Sequence, residues 1–349
     1  MALPGQGRGT ADQPANRFDR LHLEPGPEDQ VEDGDRSGEP TQYLRDTSRN
    51  IIATNDSPDV GFGASLNPYR GCEHGCIYCY ARPTHEYLGL SAGLDFETRI
   101  FVKEDAPALL RAELSRTGWE PQVLALSGVT DPYQPIERRL GLTRACLQVL
   151  AEFRNPVGVV TKNALVTRDA DVLADLASDD CANVALSVTT LDESLRRVLE
   201  PRASRADLRL DAVARLNAAG VPAGVMLAPV IPGLNDHEIP AILQRAGEAG
   251  ARFAGYVMLR LPYAVKSLFA GWLERHFPDR KAHVLSRIED VRGGRLNDPR
   301  FGARMRGEGP TADLVASLFK AARARAGIPP RGPRLRTDAF RRKGQMGLF

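Results

Sequence analysis

The residues best suited to chemistry are Cys72, Cys76 and Cys79, which place three of the chain's five cysteines in the run Cys72-Glu73-His74-Gly75-Cys76-Ile77-Tyr78-Cys79. The C-x3-C-x2-C spacing lets three sulfurs come from one small loop and converge on a single inorganic centre. No fourth cysteine lies nearby. Structural zinc normally takes four protein ligands, and a fully protein-ligated four-iron cluster takes four thiolates. A set of three therefore implies a cluster with one iron left open for chemistry. A zinc site completed by His74 or His85 is the competing reading. Cys146 and Cys181 stand apart and read as small buried hydrophobes.

Such a loop needs a rigid frame, and the rest of the chain supplies one. Short apolar runs recur at Gln122 to Ser127, Asn155 to Thr161, Asn183 to Thr189, Ala223 to Ala228 and Phe253 to Met258. Helical stretches lie between them, at Arg144 to Phe153, Asp207 to Ala219 ending on Gly220, and His237 to Ala249 ending on Gly250. Buried parallel strands alternating with amphipathic helices predict an α/β protein, barrel-like or doubly wound. The runs end in polar residues: Ser127 to Asp131, Thr161-Lys162-Asn163, Ser187 to Thr190, and Arg260. In a parallel barrel those ends face the ligand-binding mouth. Upstream, Tyr80 to Leu88 reads as a helix, Arg99 to Lys103 as a strand and Ala106 to Arg116 as a helix.

With 349 residues and 42% hydrophobic content, the chain can bury a barrel-sized core. A formal net charge of +2 supports neither membrane nor nucleic-acid binding by itself, so any basic patch must be local. No secretory or transmembrane signal is read. Five cysteines, three of them clustered, suit a reducing compartment, and a cytoplasmic location is expected. Residues 1–45, with the acidic run Glu28 to Asp35, are expected to be a disordered acidic arm. Residues 46–262 should form the barrel and 263–328 a helical C-terminal extension, with Ala264 to Arg275 and Asp313 to Ala326 as helices and an Arg-rich segment, Arg292 to Arg306, between them. Residues 329–349 should be a flexible basic tail.

The chain resembles the radical S-adenosylmethionine (SAM) superfamily in Cys72, Cys76 and Cys79, in Tyr78 ahead of the third cysteine, and in the βα rhythm that follows. Asp131-Pro132-Tyr133-Gln134-Pro135, Thr161-Lys162 and Glu200-Pro201 are similar to the spore photoproduct lyase-like branch, over roughly residues 60 to 262. The resemblance implies a partial (β/α)6 TIM-type barrel. It implies a 4Fe-4S cluster on Cys72, Cys76 and Cys79 whose open iron binds SAM, reductive cleavage of SAM to a 5'-deoxyadenosyl radical, and an external electron donor. It further implies that Tyr78 lies near the adenine, Ser127 to Asp131 at the cofactor amino group, Lys162 on the methionyl carboxylate and Ser187 on the ribose. The implied cofactors are thus a 4Fe-4S cluster and SAM, and the implied role is lyase-like DNA repair. Spore photoproduct lyases carry a hydrogen-returning cysteine where this chain has Gly128.

Two other readings stay open. One is a radical enzyme that modifies a peptide, cofactor or small molecule. The other is a non-catalytic DNA-associated protein with a cluster or zinc. The C-terminal residues Gln345, Met346, Leu348 and Phe349 are similar to the peptide by which bacterial repair and replication proteins dock on the DNA sliding clamp. With the Arg-rich segment and the basic tail, they make DNA or another nucleic acid the expected partner.

Overall fold

The computed structural model describes residues 7–18 and 40–342. Its strands are β1 (Gln42–Arg45), β2 (Ile52–Thr54), β3 (Ala64–Leu66), β4 (Tyr69–Arg70), β5 (Arg99–Val102), β6 (Leu124–Leu126), β7 (Val157–Thr161), β8 (Ala182–Ser187), β9 (Ala223–Val230) and β10 (Ala254–Met258). The sheet runs β10-β9-β8-β7-β6-β3-β2. All neighbours pair in parallel except β2, which is antiparallel to β3. Six parallel strands with helices outside form the expected partial (β/α)6 barrel.

The alternation follows from the residues. β3 and β6 are buried at every position, and β8 at all but Asn183, so the strands lie between two apolar layers. The outer layer is built by helices Leu142–Phe153, Ala170–Ala177, Ala206–Ala218 and Ile239–Glu248, each turning a stripe such as Leu147, Leu150 and Phe153 onto the sheet. Cys146 and Cys181 are fully buried in this core, as read from the sequence.

A second sheet, β1-β5-β4, stands beside the cysteine loop. The segment expected to be a helix from Tyr80 is a 3-10 helix, Arg82–Leu88, because Pro83 near its start and Gly89 at φ 72° leave room for little more than two turns.

The N-terminal arm differs from expectation where it is described. Residues 7–18 lie along the 86–97 segment behind the cysteine loop, with Gly9 against Gly75. Arg8 donates to Glu97 O at 3.0 Å, Gly9 N to Glu97 Oε2 at 2.9 Å, Leu94 N to Asp12 O at 3.1 Å, and Asn16 Nδ2 to Glu86 O at 2.9 Å. Residues 42–45 form β1. Composition argues for disorder because polar and glycine-rich chain buries little of its own, but here the partners are carbonyls and carboxylates of another segment. The acidic run Glu28 to Asp35 lies outside the described residues.

The C-terminal extension does not pack as a separate body. Helix Val265–His276 buries Leu268, Phe269, Trp272 and Leu273 in one apolar cluster with Cys76, Ile77 and Tyr78. Helix Pro278–Asp290 joins it through buried Val284 and Ile288 and half-buried Leu285, a stripe too narrow to stand out in the sequence. Helix Pro310–Arg325 presses on Ile239–Glu248, and a Cβ on Gly247 would stand 2.4 Å from Ala326 O.

The Arg-rich segment, expected to point to a nucleic-acid partner, is largely consumed internally. Arg292 donates to Leu259 O at 2.5 Å and Ala303 O at 2.7 Å, and Arg300 pairs with Asp298 and Glu308. Arg304 pairs with Asp59 and Ser57, and Arg306 donates to Tyr256 O at 3.0 Å. These bonds join β10 to the loop after β2, spanning the open side of the barrel.

The tail also packs as far as it is described. Arg336 N donates to Asp180 O at 3.0 Å, Arg341 N to Phe153 O at 2.8 Å, and Phe340 stacks on Phe153 with centroids 6.0 Å apart. Gln345, Met346, Leu348 and Phe349 lie outside the described residues. Among the described residues, no helix is long and apolar enough to cross a membrane.

Candidate active site at the barrel mouth

The cysteine loop leaves β4 through Gly71 at φ 79°, where a Cβ would meet His85 Cε1 at 2.8 Å. Gly75, at φ 66°, gives the second turn. Behind the loop, fully buried Arg82 donates to Cys76 O at 3.1 Å and Gly93 O at 3.0 Å and pairs with Glu97 at 2.5 Å. Cys72 N donates to Phe96 O at 2.9 Å and Ile77 N to Leu199 O at 3.2 Å. The loop is thus fixed from both ends by backbone and side-chain bonds.

The Asp131 to Glu137 stretch braces its front. Gln134 accepts from Glu73 N at 2.9 Å and donates to Gly71 O at 3.1 Å. Asp131 accepts from Thr161 Oγ1 and Lys162 N, each at 2.7 Å, and from Tyr133 N at 2.9 Å. His74 Nδ1 stands 3.3 Å from Asp131 Oδ2, an ion-pair distance but off the line of a good hydrogen bond. Asp131, expected at the cofactor amino group, therefore spends its carboxylate on the frame of the cysteine loop. Burial works against its charge, but His74 and Thr161 outweigh that and hold its pKa low.

Lys162 and Ser187 come together as the sequence anticipates. Lys162 Nζ lies 2.6 Å from Ser187 Oγ, 2.9 Å from Ala228 O, 3.2 Å from Thr189 Oγ1 and 3.1 Å from Glu200 Oε1. Tyr78 joins the same knot, its hydroxyl bonded to Glu200, with Lys162 Nζ 5.4 Å from its ring centre. Glu200 also pairs with Arg209 at 2.5 Å. Burial opposes ionisation of Glu200, yet Arg209 and Lys162 together hold its pKa far below the usual carboxylate range. Two cations share one carboxylate, so the knot carries one net positive charge. Sequence reading gave Glu200, Thr189 and Arg209 no role. The signals were Glu200-Pro201 within the family-like motifs and Thr189 within the polar strand end, while the pairing itself joins residues 38 apart in sequence (162 and 200).

Ser127 and Gly128 turn the chain at the carboxyl end of β6, with φ 140° and 99°. Ser127 is in a backbone region that favours glycine, a strained arrangement of the kind found at functional sites. Gly128 accepts from Tyr80 OH at 2.6 Å, and a Cβ there would stand 3.3 Å from Ser65 Cβ. A cysteine at 128 would therefore carry backbone strain. Cys146 in the core and Cys181 at the amino end of β8 leave the mouth without a substitute thiol among the described residues.

Burial pushes the pKa of each clustered thiol upward, with Asp131 adding to the effect on Cys72 and Glu200 on Cys76. Such thiols are poor free nucleophiles, and a bound metal centre supplies the positive charge that makes them thiolates. Among the described residues no three His, Cys, Asp or Glu side chains converge on a single metal ion. A 4Fe-4S cluster does not require that, since each thiolate binds a different iron. His85 bonds Arg99 O through Nε2 at 2.9 Å, and burial pushes its pKa down to about 4. His74 faces Asp131 and Asn163. The donor set fits a three-thiolate cluster.

Comparison with known proteins agrees with this geometry. The family model of the Radical SAM superfamily matches residues 66–246, more than half of the chain. An uncharacterized protein of Mycobacterium tuberculosis is 37% identical over 220 residues, so the match spans 62% of this chain and 65% of that relative's length. Spore photoproduct lyase complexed with dinucleoside spore photoproduct matches with a TM-score of 0.59 at 16% identity, covering 80% of this chain and 78% of that one. A spore photoproduct lyase mutant with bound AdoMet and the same dinucleoside matches at 0.50 and 17%, covering 68% and 66%. At these identities the likeness is one of fold, whereas membership of the family implies a 4Fe-4S cluster and SAM as cofactors. The chain belongs to the radical SAM superfamily, on a fold similar to that of spore photoproduct lyase.

Proposed function

We propose that Cys72, Cys76 and Cys79 hold the 4Fe-4S cluster and that the chain carries out lyase-like repair chemistry on nucleic acid. The observation that carries this reading is the braced three-cysteine loop at the carboxyl ends of six parallel strands, beside the Lys162-Ser187-Glu200 knot. When bound, the cluster and SAM supply a 5'-deoxyadenosyl radical once an external donor delivers an electron. The chain's own residues bind and shield. The net positive knot favours an anionic group, so Lys162 is assigned to the cofactor's carboxylate, and the Ser187 hydroxyl, which both donates and accepts, to its ribose. Tyr78 closes the floor near the adenine, and Ser127 lines the β6 turn. Asp131 acts as a positioning residue that holds His74 and the backbone of Lys162.

Anaerobically reconstituted protein should bind about four irons per chain and form 5'-deoxyadenosine from SAM under dithionite. Cys76→Ala should lose both the iron and the product. A fully loaded wild-type protein that never cleaves SAM would overturn the enzyme reading in favour of a non-catalytic cluster protein.

A second reading keeps the chemistry but changes the substrate to a peptide, cofactor or small molecule, and Gly128 favours it because the lyase's hydrogen-returning thiol is missing. The same assay with each substrate class decides between them. Docking on a sliding clamp through Gln345, Met346, Leu348 and Phe349 belongs to the DNA reading, as does a cytoplasmic location.

A further inference from the structure

Arg260 differs from the other arginines around the mouth. It lies two residues beyond β10, between Leu259 and Leu261, which pack with Ile77 and Tyr78 of the cysteine loop. That anchoring turns Arg260 the other way, and its guanidinium carbon stands 5.0 Å from the ring centre of Tyr80, the residue following Cys79. Tyr80 remains 45% exposed and reaches across to Gly128 O. The carboxylate that attracts it, Asp59, is already bonded by Arg304 and Gly302 N. Among the described residues, the one hydrogen-bonding contact of Arg260 is Met305 Sδ at 3.9 Å, a weak acceptor. A half-buried guanidinium with no carboxylate partner is costly to the fold alone. It stacks on an aromatic ring beside the cysteines and keeps its fork of donors for a ligand.

We propose that Arg260 is a phosphate anchor for a nucleic-acid substrate entering the mouth, an inference that rests on the nucleic-acid reading above. The guanidinium fork matches a phosphodiester with paired hydrogen bonds, which a lysine cannot do. The stack on Tyr80 holds that fork next to the cofactor. Arg292, Arg300, Arg304 and Arg306 are consumed within the fold, whereas Arg260 stands beside the cysteine loop with its fork uncommitted to a carboxylate.

The test uses the reconstituted protein without oxygen and a fluorescein-labelled single-stranded oligothymidylate, with affinity measured across a salt series. Arg260→Gln should weaken binding about tenfold and lower the salt slope by about one released counterion. Arg260→Lys should keep the slope and recover part of the affinity. Arg215→Gln, on the exposed outer helix Ala206–Ala218, should bind as wild type. Equilibrium binding of SAM should be the same in all four proteins. If wild type binds with salt sensitivity and Arg260→Gln matches it in affinity and slope, the anchor is overturned while the nucleic-acid reading stands. Salt-insensitive or absent binding by wild type removes both. If Arg260→Gln instead loses SAM, the guanidinium serves the cofactor carboxylate and the proposal fails.

Discussion

Glu200 holds the polar side of the mouth together. Its carboxylate meets Arg209, Lys162, Thr189 and Tyr78, all in a site with almost no solvent. Replacing it by glutamine leaves buried Arg209 and half-buried Lys162 without their shared anion, so Glu200→Gln should lower stability by roughly 3–5 kcal/mol in urea titration at neutral pH. The pH dependence has a definite sign. The folded-state pKa lies far below that of an exposed glutamate, about 4.3, so the contribution is fully present above that pH and lost as pH falls below it. The variant should therefore show a shallower fall in stability between about pH 5 and 3. An unchanged acid limb would mean that Glu200 is not the group that titrates.

At the scale of elements, the N-terminal strap and the Arg-rich latch do work that neither segment's composition advertises. Gly9 lies flat on the cysteine loop, and a Cβ there would stand 1.7 Å from Gly75 O. No side-chain rearrangement relieves a clash with backbone, so Gly9→Ala must lift the strap or shift the loop. Tryptic cleavage after Arg17 and iron release to a chelator should both become faster in this variant. Wild-type protection at Arg17 would show that the strap is held by its other bonds alone. The latch acts at the opposite edge, where Arg304 on Asp59 and Arg306 on Tyr256 tie β10 to the β2 side of an open sheet. Sequence spacing revealed β6 to β10 to within about two residues, because burial imposes an apolar run on each of them, while the short β3, the remaining parallel strand, went unread. It did not reveal strap or latch, whose residues are polar and whose partners lie far along the chain.

Across the whole molecule, chemistry and tail occupy opposite ends of the barrel. The cysteines, Lys162 and Arg260 gather at the carboxyl ends of the strands, while the chain through Arg341 runs past Phe153 and Asp180 at the amino ends. Phe340→Ala should therefore cost about 1–2 kcal/mol through its stack on Phe153 and leave iron content unchanged. A loss of iron in that variant would couple the two ends. By itself the sequence determined the barrel rhythm and the cysteine trio, since both depend on spacing along a few consecutive residues. It also brought Lys162 and Ser187 to one rim, because consecutive parallel strands present their carboxyl ends together. Tertiary structure alone decided that Asp131 braces the cysteine loop, that Glu200 is shared between Lys162 and Arg209, and that most of the Arg-rich segment is spent on the fold. It likewise decided that Arg260 is left with a cation to offer. Ion pairs and hydrogen bonds are settled by proximity in space, and contacts such as Asp59 with Arg304 or Glu97 with the Gly9 N–H leave no periodic trace in the order of residues.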